Sequence, residues 1–423
     1  MKILVVHNAY QGPGGEAIVA GAERDLLVAA GHRVVEYGKS NDEIKDYGLW
    51  SKATLPVRTV WAWDSYREMK ALLGRERPDL AHFHNTFPLI SPAAYYACRE
   101  AGVPVVQTLH NYRLLCPAAT FLRRGCVCEE CLDHSLWRGV LHGCYHDSTA
   151  ATASVAVMLA VHRWLGTWMR LVDCYIALTE FSREKFVSAG VPDEKIAVKP
   201  NFVHPDPGAR EGTGEYALFV GRFSREKGLQ TLLRAWVHLN NSISLDLVGD
   251  GPLRPALQNE AQSRGMGSIH FRGWMSPDRT LAAVKQARFL VFPSEWYEGF
   301  SLAVIEAFAC GVPVVASRLG GMRRIVTDGR TGLHFRPGDP EDLAAKVEWA
   351  WTHPKEMEAM GRMARAEYEA KYTAERNYPM LMQIYERAIA TRKAGQQSTT
   401  EGSVPGHDLI RQEEHLGHSG GCR

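Results

Sequence analysis

Glu298 and Glu306 stand with seven residues between them in the run Phe292-Pro-Ser-Glu-Trp-Tyr-Glu298-Gly-Phe-Ser-Leu-Ala-Val-Ile-Glu306-Ala-Phe-Ala-Cys-Gly-Val-Pro-Val-Val. An apolar run, Phe289 to Phe292, stops at Pro293, and a second, Val312 to Val315, starts after Gly311. This pattern predicts strand, loop, helix, strand, with Glu298 in the loop and Glu306 inside the helix. Leu302, Ile305 and Phe308 recur at helical spacing and should face the core. Peptide N–H groups at a helix start have no partner inside the helix, so Gly299, Phe300, Ser301 and Leu302 should offer an anion site between the two acids. Phosphate on those amides and hydroxyls on both carboxylates describe a nucleotide sugar. The alternative is an ordinary βαβ unit with two surface acids.

A second site follows an apolar run in Phe219-Val-Gly221-Arg222-Phe-Ser-Arg-Glu-Lys227-Gly228 and leads into a helix predicted over Leu229–Leu239. Gly221 lets the backbone turn closely past a ligand, and Arg222 and Lys227 converge on the strand end. A departing pyrophosphate needs such charge. The sequence has no Asp-x-Asp triplet to hold a metal for that purpose, and two fixed cations beside a helix N-terminus supply preorganised electrostatics instead. The alternative is a solvated basic loop.

With these two motifs, and Gly249-Asp-Gly251-Pro252 at another strand end, the chain resembles the retaining glycosyltransferases of family 4, which have the two-domain GT-B fold and the motif E-x(7)-E. The resemblance implies hexosyl transfer from a nucleoside diphosphate without a catalytic metal or other required cofactor. It gives Arg222 and Lys227 the diphosphate, Glu298 the hydroxyls of the donor sugar and Glu306 those of the ribose. Front-face attack, with a leaving phosphate oxygen taking the acceptor's proton, is the mechanism implied. One departure stands out: relatives commonly read Gly-Gly-x-Pro-Glu where this chain has Gly320-Gly321-Met-Arg323-Arg324.

Near the start, Gly12-x-Gly14-x-x-Ala17 with Glu36 satisfies a dinucleotide-binding fingerprint. His7 to Gln11 intervene between strand and first glycine, however, which argues against a nicotinamide enzyme. The longer loop is similar to the family's glycine-rich loop, so Gly14 and Gly15 are expected to approach the donor phosphate. His110 ends a strand in Val105-Val-Gln-Thr-Leu-His110, and the resemblance places it beside the donor sugar. His84 fits either the acceptor side or the core. Two further readings are a nucleotide-sugar epimerase of the same fold and a non-catalytic nucleotide-sugar-binding protein.

These residues need elements to position them. The chain has 423 residues, 45% of them hydrophobic, with a formal net charge of +2. That suits two domains with substantial cores and gives no support to a nucleic-acid partner. Strands are predicted at Ile3–Val6, Arg33–Tyr37, Leu80–His84, Val103–Leu109 and Cys174–Leu178, then at Tyr216–Val220, Leu245–Val248, Ile269–Phe271, Phe289–Phe292 and Val312–Ala316. Alternation with helical segments makes each series an α/β, doubly wound parallel sheet of Rossmann-like form. The domains read as 1–203 on the acceptor side, with a cysteine-rich insert over 112–148, and 204–372 for the nucleotide sugar, joined through a Pro- and Gly-rich linker. A helix over 373–392 is expected to cross back to the first domain, and 393–423 to form a disordered tail.

Five of the nine cysteines fall between Cys116 and Cys144. Cys128-x-x-Cys131 is a knuckle spacing, and with Cys116 and Cys144 it suggests a structural zinc site, Cys126 being spare or replacing Cys128. Reduced, unpaired thiols and a disulfide are the alternatives. No signal peptide or membrane-spanning run is evident, which points to the cytoplasm. Trp50, Trp61, Trp63, Trp137, Trp164 and Trp168 stand among Lys52, Arg58, Arg138, Arg163 and Arg170, a composition suited to the inner face of the cytoplasmic membrane. A saccharide or lipid-linked acceptor in cell-envelope polysaccharide, lipopolysaccharide or exopolysaccharide assembly would fit such a surface. The alternative buries the helix Val155–Leu171 in the core.

Overall fold

The computed structural model describes residues 1–11 and 14–401, the last seven by backbone alone. Its first sheet contains β1 (Lys2–Ala9), β2 (Arg33–Ser40), β3 (Leu80–Asn85) and β4 (Val105–Leu109). After a short hairpin of β5 (Leu122–Arg123) and β6 (Cys126–Val127), β7 (Cys174–Ala177) and β8 (Ile196–Val198) complete it. The strand order is β2-β1-β3-β4-β7-β8, and every pairing is parallel. The second sheet contains β9 (Tyr216–Val220), β10 (Leu245–Val248), β11 (Ile269–Gly273), β12 (Ala287–Phe292), β13 (Val314–Ser317) and β14 (Gly332–Phe335). Its order is β11-β10-β9-β12-β13-β14, again all parallel. These are the two doubly wound sheets of the GT-B fold.

Parallel sheets need cover on both faces, which explains why β3, β4, β7, β10 and β13 are buried throughout. One face of the first sheet packs Leu4, Phe83 and Val105 with Tyr95 and Leu159. The other packs Ile3, Leu80 and Ile176 against Leu381, Ile384, Tyr385 and Ala388 of the last helix, Ala374–Glu401. That helix therefore does return from the second domain, and each such large apolar side chain contributes roughly 1.5–3 kcal/mol by leaving water. It continues past Arg392 to Glu401, so residues 393–401 of the expected tail are helical; residues 402–423 lie outside the described residues.

The chain crosses between domains twice, and the crossings are tied together. Val203 N–H donates to the Tyr372 carbonyl at 3.0 Å, and the Asn377 side-chain amide donates to the Pro200 carbonyl at 2.6 Å. Two details depart from the sequence reading. The helix expected over Val155–Leu171 is two, Thr149–Trp164 and Thr167–Leu171, because Gly166 adopts φ +65° between them. Strands β8 and β14 were not predicted; they are short edge strands of three and four residues, too brief for a periodic signal.

Candidate functional site

In open parallel sheets a crevice forms beyond the carboxyl ends of the strands where the winding direction reverses. In the second sheet that point lies between β9 and β12, the strands that lead into Arg222 and Lys227 and into Glu298. The two loops fit closely. A Cβ on Gly228, at φ +69°, would lie 1.9 Å from the Pro293 carbonyl oxygen, so only glycine turns the chain there. Lys227 Nζ consequently reaches Glu298 Oε1 at 2.6 Å and lies over the Phe292 and Trp296 rings.

Glu298 is buried, and Ser294 Oγ donates to the same carboxylate oxygen at 2.6 Å. Paired and hydrogen-bonded, the charge is tolerated inside the protein. Arg222 is exposed and makes no ion pair among the described residues. Ser301 caps the helix Leu302–Ala309, its hydroxyl accepting from Val304 N–H. Phe300 lies against Tyr372, with ring centres 6.0 Å apart. Gly221 follows β9 and its N–H donates to the Val248 carbonyl. Within the helix, the half-buried Glu306 carboxylate takes no hydrogen bond from a described side chain, and burial raises its pKa above the ordinary carboxylate value.

The first sheet reverses between β1 and β3. Gly14 precedes the helix Gly15–Ala29, and Gly12 lies outside the described residues. His110 Nε2 meets His84 Nδ1 at 3.0 Å, and the two rings stack. Behind them is a buried polar chain that sequence spacing did not reveal. His84 Nε2 is 3.5 Å from Glu23 Oε2, while Lys199 Nζ, fully buried in the crossing segment, holds Glu23 Oε1 and donates to Asn377 Oδ1 at 3.0 Å. Burial lowers the pKa of His82, His84 and His110 well below the usual histidine value, so their imidazoles are neutral at physiological pH.

Glu23, His82 and His84 have ligand atoms within 4.8 Å of one another, yet they suit a metal poorly. Both His82 nitrogens are occupied, by the Tyr385 and Thr108 hydroxyls at 2.8 Å, and an ammonium sits on Glu23. Glu36 of the dinucleotide fingerprint is exposed and lies 3.5 Å from Arg24.

The two halves meet across the cleft. A Cβ on Gly299 would stand 2.4 Å from the His110 carbonyl oxygen, and one on Gly15 would stand 3.7 Å from Leu302 Cδ1. The residues selected from both domains are therefore neighbours in space. Arg324, the departure from the family pattern, reaches Glu184 of the first domain at 2.8 Å.

Cys116, Cys128, Cys131 and Cys144 are free thiols. They share one neighbourhood: burial first, then the nearby thiols of Cys116 and Cys128, pushes Cys131 and Cys144 up to about 12 and about 11. Among the described residues they form no set of three within 4.8 Å. Of the six first-domain tryptophans named above, Trp50, Trp63, Trp137 and Trp164 are exposed, Trp50 and Trp164 by 86% and 84%, whereas Trp168 is buried. Among the described residues no helix is long and apolar enough to cross a membrane.

The pattern described as Glycosyltransferase Family 4 matches residues 13–207, and that described as Glycosyl transferases group 1 matches residues 203–367. A glycosyltransferase of Methanocaldococcus jannaschii is 31% identical over 323 residues, spanning 76% of this chain and 79% of its own. The alpha-D-kanosaminyltransferase of Streptomyces kanamyceticus is 28% identical, over 80% of this chain and 83% of its own. Among solved structures, a sucrose-phosphate synthase from Thermosynechococcus elongatus superposes with a TM-score of 0.66 at 19% identity, covering 95% of this chain and 100% of that one. The Anabaena protein HepE, in complex with UDP and glucose, does so with a TM-score of 0.63 at 18% identity, covering 95% and 99%.

Proposed function

Because the chain belongs to the GT-B glycosyltransferases, matching Glycosyl transferases group 1, we propose that it transfers a hexosyl group from a nucleoside-diphosphate sugar to a saccharide or lipid-linked acceptor, retaining configuration and using no catalytic metal. The observation that carries this reading is the Lys227–Glu298 pair at the switch point of the second sheet, set against His110 of the first domain through Gly299. The cation needed by a departing diphosphate and the acid suited to sugar hydroxyls are already neighbours. Donor binding would exchange that one ion pair for two contacts.

Arg222, Lys227 and the amides of Gly299 to Leu302 would bind the diphosphate, with Gly14, Gly15 and Gly221 allowing close approach. Glu306 would take the ribose hydroxyls. In the transfer the bond from the anomeric carbon to the phosphate oxygen breaks, the acceptor oxygen bonds on the same face, and its proton passes to the leaving phosphate. His110, a neutral imidazole, would hydrogen-bond the donor sugar rather than carry charge. Electrostatic stabilisation of the leaving group is usually the largest contribution of such a site.

The relatives supply a choice of probes, since the HepE structure holds UDP and glucose. Nucleoside diphosphates and their sugars should be screened by thermal shift, because a ligand that binds only the folded state raises the midpoint. A sugar nucleotide that stabilises the chain, followed by product analysis showing the anomer retained, is the expected outcome. Stabilisation by NAD alone, or an inverted product, would count against it.

The exposed tryptophans beside Arg138 and Arg163 support an acceptor presented at the inner face of the cytoplasmic membrane, in envelope or exopolysaccharide assembly. The shared neighbourhood of Cys116, Cys128, Cys131 and Cys144 supports a structural zinc that would draw the four thiolates together, apart from catalysis. Among those four residues only Cys116 and Cys131 are buried.

A further inference from the structure

Tyr297 belongs to the second domain by sequence, yet its ring is packed on the first domain's core. Its ring centre lies 4.7 Å from Phe181, 6.1 Å from Phe121 and 6.5 Å from Tyr112. Its hydroxyl donates to Glu129 Oε1 at 2.8 Å. Glu129 lies inside the Cys128–Cys131 knuckle, and Lys185 Nζ donates to both of its oxygens at 2.7 Å. Lys185 also lies over the Tyr297 ring at 5.5 Å. Gly320 backs the ring, since a Cβ there would stand 3.1 Å from Tyr297 Cδ1.

Aromatic edge contacts, a charge-assisted hydrogen bond and an ammonium over the ring all act on one side chain. That side chain is the covalent neighbour of Glu298. We propose that Glu129 and Tyr297 form an interdomain latch that positions Glu298, so that the cysteine-rich insert of the first domain sets the donor-side carboxylate of the second. This rests on the role proposed for Glu298. The latch supplies no group to the reaction; it restricts the loop from which Glu298 projects, and an opening of the domains would release both together.

Two conservative variants separate the latch from bulk packing. Tyr297→Phe keeps the seated ring and loses the hydroxyl, whereas Glu129→Gln keeps the shape and loses the charge held by Lys185. In each, amide exchange of residues 294–301 should speed up by about tenfold, the scale of a lost charged hydrogen bond, with the thermal midpoint nearly unchanged. Turnover should fall by a similar factor, affinity for the sugar nucleotide should fall, and affinity for UDP should stay. Losses in the double variant should fall short of the product of the single ones, since both variants weaken the same charge-assisted hydrogen bond. Wild-type exchange and turnover in both variants, or losses that multiply in the double variant, would overturn the latch. A wild-type chain that binds no sugar nucleotide would instead defeat the glycosyl-transfer reading, and the exchange comparison would still decide whether the contact orders the loop.

Discussion

Arg222 and Lys227 carry the same charge five positions apart in sequence and have different surroundings. Alanine at either should lower turnover by about a hundredfold, the usual cost of losing a donor to a developing anion. Lys227→Ala also strands the buried Glu298 with only Ser294 as side-chain partner, so stability should drop by roughly 2 kcal/mol. Arg222→Ala should leave the melting midpoint in place. Equal midpoint shifts would contradict the pairing. Glu306 behaves in the opposite sense. Its pKa is raised in the folded state, so its favourable contribution is complete below the unfolded value of about 4.3 and is lost as pH rises through the folded value. Glu306→Gln should therefore raise the neutral-pH midpoint while weakening UDP binding, and the gain should vanish under acid. Glu298→Gln should spare UDP and weaken the sugar nucleotide. Calorimetry with both ligands checks the assignment.

The insert between β4 and β7 carries the zinc proposal, and the helices Leu49–Val60 and Thr149–Trp164 carry the membrane proposal. One zinc per chain is expected by elemental analysis, lost together with thermal stability in a Cys128→Ser, Cys131→Ser variant. Transfer should survive a chelator while the chain stays folded; loss restored specifically by magnesium or manganese would contradict metal-independent chemistry. The helices present Leu49, Trp50, Val57 and Trp164 to solvent, where substitution leaves no cavity. Trp50→Ser with Trp164→Ser should reduce binding to phosphatidylglycerol vesicles by tenfold or more, with the midpoint shifting little. Unaltered vesicle binding would remove the membrane proposal and leave the enzyme untouched.

At the scale of the whole molecule, Lys199, Glu23, His84 and His110 connect the interdomain crossing to the cleft, and Tyr385 of the returning helix holds His82 beside them. Depressed folded pKa values mean that these histidines contribute stability in full above about 6.5, and that it is lost as pH falls toward the folded values. Unfolding between pH 5.5 and 6.5 should therefore take up protons net, although the raised carboxyls of Glu16, Asp173 and Glu306 oppose it in part. Calorimetry in buffers of different ionisation enthalpy measures the uptake, and net release would show that the cluster is not buried as a neutral unit.

The strand, loop, helix and strand around Glu298 and Glu306 were legible because turn residues and apolar spacing are local properties of a chain. The same holds for the loop carrying Arg222 and Lys227 and for the alternating order of the sheets. The return of the last helix came from resemblance, and its Leu381, Ile384 and Tyr385 packing is what the fold added. Three contacts were decided only by the approach of distant segments: Lys227 on Glu298, Tyr297 seated beneath Glu129, and Glu23 between Lys199 and His84. A lysine or a glutamate reads as solvated until the fold removes its water, and that desolvation depends on which distant segments the fold brings together.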